Sequence, residues 1–231
     1  MTPCVGVVVF PGSNCEFDVL EAVRHLGGEA RLVWHADTAL DDVDALVLPG
    51  GFAHGDYLRP GAIARFSPVM EAVRSFAADG GPVVGICNGF QVLCEAGLLP
   101  GALQKNRDLR FLCAPTRLRV ETVGTPLTDE TEVAPGATLT VPINHFAGNY
   151  ICAPDTLRGL RDEDRIVFRY VNNPNGSIDD IAGICSAERN VVGLMPHPER
   201  AAHPLLSSTD GAPLLRSLLA AASMSVGAVP G

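Results

Sequence analysis

Lysine is almost missing from this 231-residue chain: Lys105 stands alone among 17 basic residues, and arginine supplies the rest. A Walker-type phosphate loop sets its lysine behind a glycine-rich turn, and no such turn precedes Lys105. Basic runs are missing as well, and the formal net charge of -9 speaks against a nucleic-acid surface. The seven cysteines, at positions 4, 15, 87, 94, 113, 152 and 185, include no C-x-x-C pair. An odd, scattered set of this kind excludes a disulfide framework and a zinc site and fits a reducing compartment; no metal site is expected. Long apolar runs are absent too. Val5 to Phe10 is too short for a signal core or a membrane span, and no basic segment precedes it. The expectation is a soluble, cytoplasmic protein with no membrane or nucleic-acid partner.

What is present is enough apolar material, 47% of residues, for one good core. Cys4 to Phe10 is a β-branched run ended by Pro11-Gly12-Ser13-Asn14. A helix is expected from about Glu16 to Leu26, with Phe17, Leu20, Val23 and Leu26 on one face and Gly27-Gly28 as its stop. Strands follow at Ala30 to Trp34 and Ala45 to Leu48. Strand, helix, strand at this spacing is the βαβ unit of a parallel sheet, so the fold class is α/β. A helix over Ala62 to Ala78 is predicted to pack through Ile63, Phe66, Met70 and Val73. From about Gly101 to Asp180 the short strand-like runs between Pro, Gly and Asn, including Phe111 to Val120 and Thr138 to Ile143, suggest added antiparallel strands. Ile181 to Ser186 and Val191 to Met195 read as a hairpin. A last helix, Ala212 to Met224, is expected to be capped by Ser208, Thr209 or Asp210, with Ser225 to Gly231 fraying.

The chemistry concentrates at Gly81 to Gly97. An apolar run, Pro82 to Ile86, meets a helical pattern at Cys87, with Gly85 two residues before it and Gly89 two after. A nucleophile elbow needs this layout, because a sharp strand-to-helix turn leaves no room for flanking side chains. A thiol there sits at a helix N-terminus, where unpaired N–H groups and the helix dipole favour thiolate. The plainer alternative is a buried cysteine beside two turn glycines.

Three other stretches are candidates. Pro49-Gly50-Gly51 follows a strand, and adjacent glycines there let backbone N–H groups turn into a cavity, as an oxyanion hole requires. Pro196-His197-Pro198-Glu199 ends the hairpin. An extended His-x-Glu puts both side chains on one side, so the carboxylate can hold one imidazole nitrogen while the other takes a proton from a thiol. Gln104-Lys105-Asn106 with Arg107 and Arg110, and His145 at a strand end, are open: the first reads equally as a solvated turn, the second as a structural hydrogen-bonder.

Gly85-Ile86-Cys87-Asn88-Gly89-Phe90-Gln91 resembles the G-x-C-x-G-x-Q signature of class I glutamine amidotransferases, and Pro49-Gly50-Gly51 and His197-x-Glu199 fall in that family's order. Phe10-Pro11-Gly12-Ser13-Asn14, Gly55-Asp56-Tyr57-Leu58-Arg59, Asn173-Pro174-Asn175-Gly176-Ser177 and Gly193-Leu194-Met195-Pro196-His197-Pro198-Glu199-Arg200 are similar to the glutaminase subunits of phosphoribosylformylglycinamidine synthases. The chain departs from them at His145-Phe146-Ala147-Gly148, where an acidic residue is commoner near Ala147.

The resemblance covers nearly the whole chain and implies a single amidotransferase domain over 1–231, with a flavodoxin-like core. It implies a catalytic set of Cys87, His197 and Glu199, oxyanion donors on the backbone of Gly51 and Asn88, and substrate contacts at Gly50 and Gln91. L-glutamine would be hydrolysed through a cysteine thioester. The ammonia would go to a large synthase subunit, which converts formylglycinamide ribonucleotide to formylglycinamidine ribonucleotide and carries ATP and magnesium; a small bridging subunit completes the complex. No cofactor is expected in this chain. Rival readings are a cysteine-elbow redox sensor or chaperone, which would carry histidine where this chain has Asn88, a γ-glutamyl peptidase of the same fold, and a subunit that only binds glutamine.

Overall fold

The computed structural model describes residues 2–206 and 208–225. The valines of β1 (Cys4–Val9) place it inside the sheet, and β3 (Ala45–Leu48) and β4 (Val83–Ile86) are buried at every position. Strands covered on both faces read as continuous apolar runs rather than alternating ones. With β2 (Glu29–Trp34) and β11 (Val191–Leu194) they form five parallel strands in the order β2-β1-β3-β4-β11. Four antiparallel strands extend the sheet beyond β11: β10 (Ile181–Cys185), β9 (Ile166–Tyr170), β6 (Leu112–Val120) and β7 (Thr138–His145). A separate pair joins β5 (Ala102–Gln104) to β8 (Asn149–Ile151). This is the expected α/β fold, an open, mostly parallel sheet flanked by helices, with antiparallel additions.

Helices α1 (Glu16–His25) and α5 (Ala212–Ser225) pack on β1 and on each other, while α3 (Asn88–Glu95) lies over β3, β4 and β11. Strand order reverses between β1 and β3. Open α/β sheets bind ligands at such a switch point, and here the loops leaving the two strands meet in a bridge between Ser13 and Gly51.

Several expectations are corrected. The helix predicted over Ala62 to Ala78 is broken: a 3-10 turn, Ala64–Phe66, gives way at Ser67, and α2 runs only over Val69–Ala78. Ser67 is extended (ψ 142°) because it precedes Pro68, whose ring excludes the helical conformation from its neighbour. Phe66 is therefore turned outward, 71% exposed. Phe17 is exposed as well; α1 buries Val19, Leu20, Ala22 and Val23 instead. The region read as short antiparallel strands also contains a helix not expected from the sequence, α4 (Pro154–Asp162), which opens on a proline, where its missing N–H costs nothing, and buries Leu160. At the start of α5 the main-chain carbonyl of Thr209 accepts from Ala212 N, while the Asp210 carboxylate accepts from Thr140 N on β7 at 2.7 Å. α5 extends through Ser225, and the rest of the segment expected to fray lies outside the described residues. Among the described residues no helix is long and apolar enough to cross a membrane.

Candidate active site

Cys87 sits between β4 and α3 at φ 50° and ψ -103°, a backbone conformation that L side chains rarely adopt and that costs about 1–3 kcal/mol. The turn is possible because its neighbours have no side chains. A Cβ on Gly89 would lie 1.9 Å from the Leu48 carbonyl oxygen, and one on Gly85 2.6 Å from Leu93 Cδ1. The Leu48 contact is with backbone and has no rotamer escape. Gly89→Ala is therefore expected to push α3 off β3 and to destabilise the protein by about 3 kcal/mol or more. Urea unfolding would read this, and an unchanged midpoint would contradict the close approach.

The thiol donates to the Asn144 carbonyl at 3.7 Å, next to His145 at the end of β7. Cys87, His197, Gly51 and Gln91 line one cavity of about 640 Å³. His197 Nδ1 is 2.6 Å from Glu199 Oε1, with both side chains buried, and Nε2 has no hydrogen-bond partner among the described residues. Burial opposes charge on this imidazole. The Glu199 carboxylate and then the Cys87 sulfur outweigh it and carry His197 well above the ordinary histidine range. The pair is not joined by a fully extended segment, as the sequence suggests. His197 itself falls short of the extended region (φ -108°, ψ 85°), and the chain then turns through a 3-10 helix, Pro198–Ala201, which brings Glu199 back under the ring.

The remaining candidates have specific places. Gly50 lies beneath the imidazole, where a Cβ would come within 2.7 Å of His197 Cε1. Gly51 is at φ 142°, a conformation suited to glycine. Asn88 opens α3, so its backbone N–H belongs to the helix's first turn, which lacks intrahelical acceptors. Its side chain is fully used: Oδ1 accepts from Ala53 N at 2.9 Å, and Nδ2 donates to Asp56 Oδ1 at 3.1 Å and to Gln91 Oε1 at 2.8 Å. Gln91 Nε2 donates to the Ala147 carbonyl at 2.5 Å. Asn88 and Gln91 thus tie the loop after β3 to the loop after β7 across the cavity.

His145 is no structural hydrogen-bonder. It is buried with both ring nitrogens unpartnered among the described residues, and burial, reinforced by the charge of His197, lowers it to about 4. The ring stays neutral beside a charged one. Nor is the Gln104 to Arg110 segment a simple solvated turn. Asn106 is buried and donates to the carbonyls of His145 and Arg110 while accepting from Gly148 N. The Asn173 to Ser177 turn supports the same loop: Asn175 Nδ2 donates to the Gly148 carbonyl at 2.7 Å, and Ser177 Oγ accepts from Tyr150 N.

No sequence pattern singles out Cys15. It is buried at the start of α1 and lines the cavity, and its thiol accepts from Arg200 Nη2 at 3.2 Å. Burial raises its pKa, partly offset by His197. Cys15, His197 and Glu199 hold ligand-type atoms within 4.8 Å of one another. That donor set could take a divalent cation only against the Arg200 guanidinium and by breaking the His197–Glu199 bond.

Residues 2–212 match the CobB/CobQ-like glutamine amidotransferase domain. A phosphoribosylformylglycinamidine synthase subunit PurQ from Rubrobacter xylanophilus is 60% identical over 220 residues, covering 95% of this chain and 99% of that protein. One of the same name from Salinibacter ruber is 50% identical over 229 residues, covering 95% and 97%. A chain in the structure of PurLQS from Thermotoga maritima superposes with a TM-score of 0.87 at 41% identity, over 95% of this chain and 99% of that one. A putative GMP synthase component from Thermoplasma acidophilum, 19% identical with a TM-score of 0.68 over 98% of this chain and 97% of that one, shares the fold.

Proposed function

The chain belongs to the CobB/CobQ-like glutamine amidotransferase family, within its branch of phosphoribosylformylglycinamidine synthase glutaminase subunits, and on that premise we propose how its residues divide the work. It is a glutamine amidotransferase, the glutaminase component of a complex of purine biosynthesis whose other members are a large synthase subunit, PurL, with a small bridging one, PurS. The observation that carries the assignment of roles is the shared cavity of Cys87 and His197, with His197 backed by Glu199 at 2.6 Å.

In this reading Cys87 thiolate attacks the carboxamide carbon of L-glutamine. The backbone N–H groups of Gly51 and Asn88 donate to the oxyanion as it forms. Imidazolium at His197 gives its Nε2 proton to the departing nitrogen, ammonia leaves, and a γ-glutamyl thioester remains on Cys87. The now neutral His197 takes a proton from water, the hydroxide attacks the thioester, and glutamate is released with the thiolate restored. Glu199 keeps the ring oriented and stabilises its charged state. Gly50 serves by letting the ring approach closely, and Gln91 by holding the loop at Ala147 against α3. ATP and magnesium act on the synthase subunit. The whole chain serves as one amidotransferase domain, and its seven free cysteines fit a cytoplasmic location.

A diazo-ketone analogue of glutamine tests the nucleophile. It is expected to label Cys87 and to spare Cys15, although both line the cavity, because Cys15 is held by Arg200 away from the strand-to-helix turn. Peptide mass spectrometry finding equal modification at Cys15 or Cys94 would refute the assignment.

A further inference from the structure

L-glutamine brings a neutral carboxamide at one end and a zwitterion at the other, and the cavity around Cys87 has an asymmetry that matches it. Arg59, Lys105 and Arg107 among its lining residues are basic, and Asp56 alone is acidic. Arg59 is already taken, bound through Nε and Nη2 to Glu95 at 2.6 and 2.7 Å. Among the described residues Asp56 has no such cation. Burial pushes its carboxyl up to about 6, and only the hydrogen bond from Asn88 acts the other way. A carboxylate drawn out of water without a counter-charge is costly, and the cost falls when a cation arrives.

The backbone is bent to deliver this group. His54, Gly55 and Asp56 run through the left-handed region at φ 52°, 67° and 51°. That bend carries Asp56 Oδ1 to Asn88 Nδ2, one residue beyond Cys87. The carboxylate therefore lines the same cavity as the reacting thiol, on a loop tied to the helix that follows Cys87. We propose that Asp56 is the anchor for the α-ammonium group of L-glutamine, and so the residue that selects an α-amino acid over other carboxamides. The inference rests on the glutaminase reading above. Lys105, on the same cavity, supplies the positive charge for the α-carboxylate; Arg107 is already shared with Asp108 at 3.7 Å.

The test compares L-glutamine with glutaramate, which is glutamine without its amino group, in the assembled synthase complex. Asp56→Asn keeps an oxygen that can accept from Asn88 and removes only the charge. The expected result is a fall of about 10- to 100-fold in kcat/KM for glutamine, carried by KM, the range of a hydrogen bond to a charged group. The value for glutaramate should not change, so the preference between the two collapses. Equal losses on both substrates would show that Asp56 only positions Asn88 or supports the fold, and no loss on either would show that it does nothing at the site; each overturns the inference. A wild-type complex that hydrolysed no glutamine would instead overturn the glutaminase reading, and this inference with it.

Discussion

Glu199→Gln is expected to lower glutamine hydrolysis about 10⁴-fold, the cost of the comparable change in a serine triad, while leaving the fold in place. The side chain is 0% exposed and Oε1 lies 2.6 Å from His197 Nδ1, so glutamine of nearly the same shape fills the same space. Two things change. The imidazolium loses the first of the attractions that hold its pKa up against burial. The amide can also turn its NH2 toward Nδ1, which stabilises the tautomer with its proton on Nε2, the wrong one for a base facing Cys87. The sign is fixed by the geometry: His197 must titrate at lower pH in the variant than in the wild type. Steady-state hydrolysis by the assembled complex, with a thermal melt as control, reads the prediction. A kcat within tenfold of wild type would show that the pair is only a loop contact.

Much of this site is legible in the sequence because its chemistry depends on local backbone. Gly85 and Gly89 flank Cys87 at a strand-to-helix junction, and a Cβ at either would strike Leu93 or Leu48. His197 and Glu199 are two residues apart, so their contact needs only one turn of chain. The less legible parts depend on distant segments meeting. Asn106 is buried because the loop after β5 folds over the end of β7, a pairing no local pattern announces. Asp56 stands out only once the cavity shows that its other charged lining residues are basic.

The departures in the fold have the same origin. Periodicity tells which residues share a helix face, not whether that face is covered, and so Phe17 and Phe66 read as interior residues but are exposed. Pro68 is visible in the sequence, yet the apolar spacing from Ile63 to Val73 runs across it. The rule that the residue before proline leaves the helix decides the outcome at Ser67. In α4, the polar sequence from Asp155 to Asp162 offers one buried leucine, too weak a stripe to mark a helix; Pro154 at its start is the better sign.

The second large effect is the loss of the thiol. Cys87→Ala removes the only atom proposed to bond the substrate carbon, and alanine fits the turn more easily than cysteine because it is smaller. Glutamine-dependent formation of the amidine product by the assembled synthase should fall to background. Ammonia made in this chain is, however, the same ammonia that can be added to solution, and the proposed function places the ATP chemistry on the partner subunit. The most direct measurement is therefore a pair of rates on the Cys87→Ala complex, with assembly verified by gel filtration. One is taken with glutamine and the other with ammonium chloride at a pH high enough to supply free ammonia. No product is expected from glutamine and a wild-type rate from ammonium; loss of both would mean that Cys87 serves the synthase reaction itself and that the division of labour proposed above is wrong.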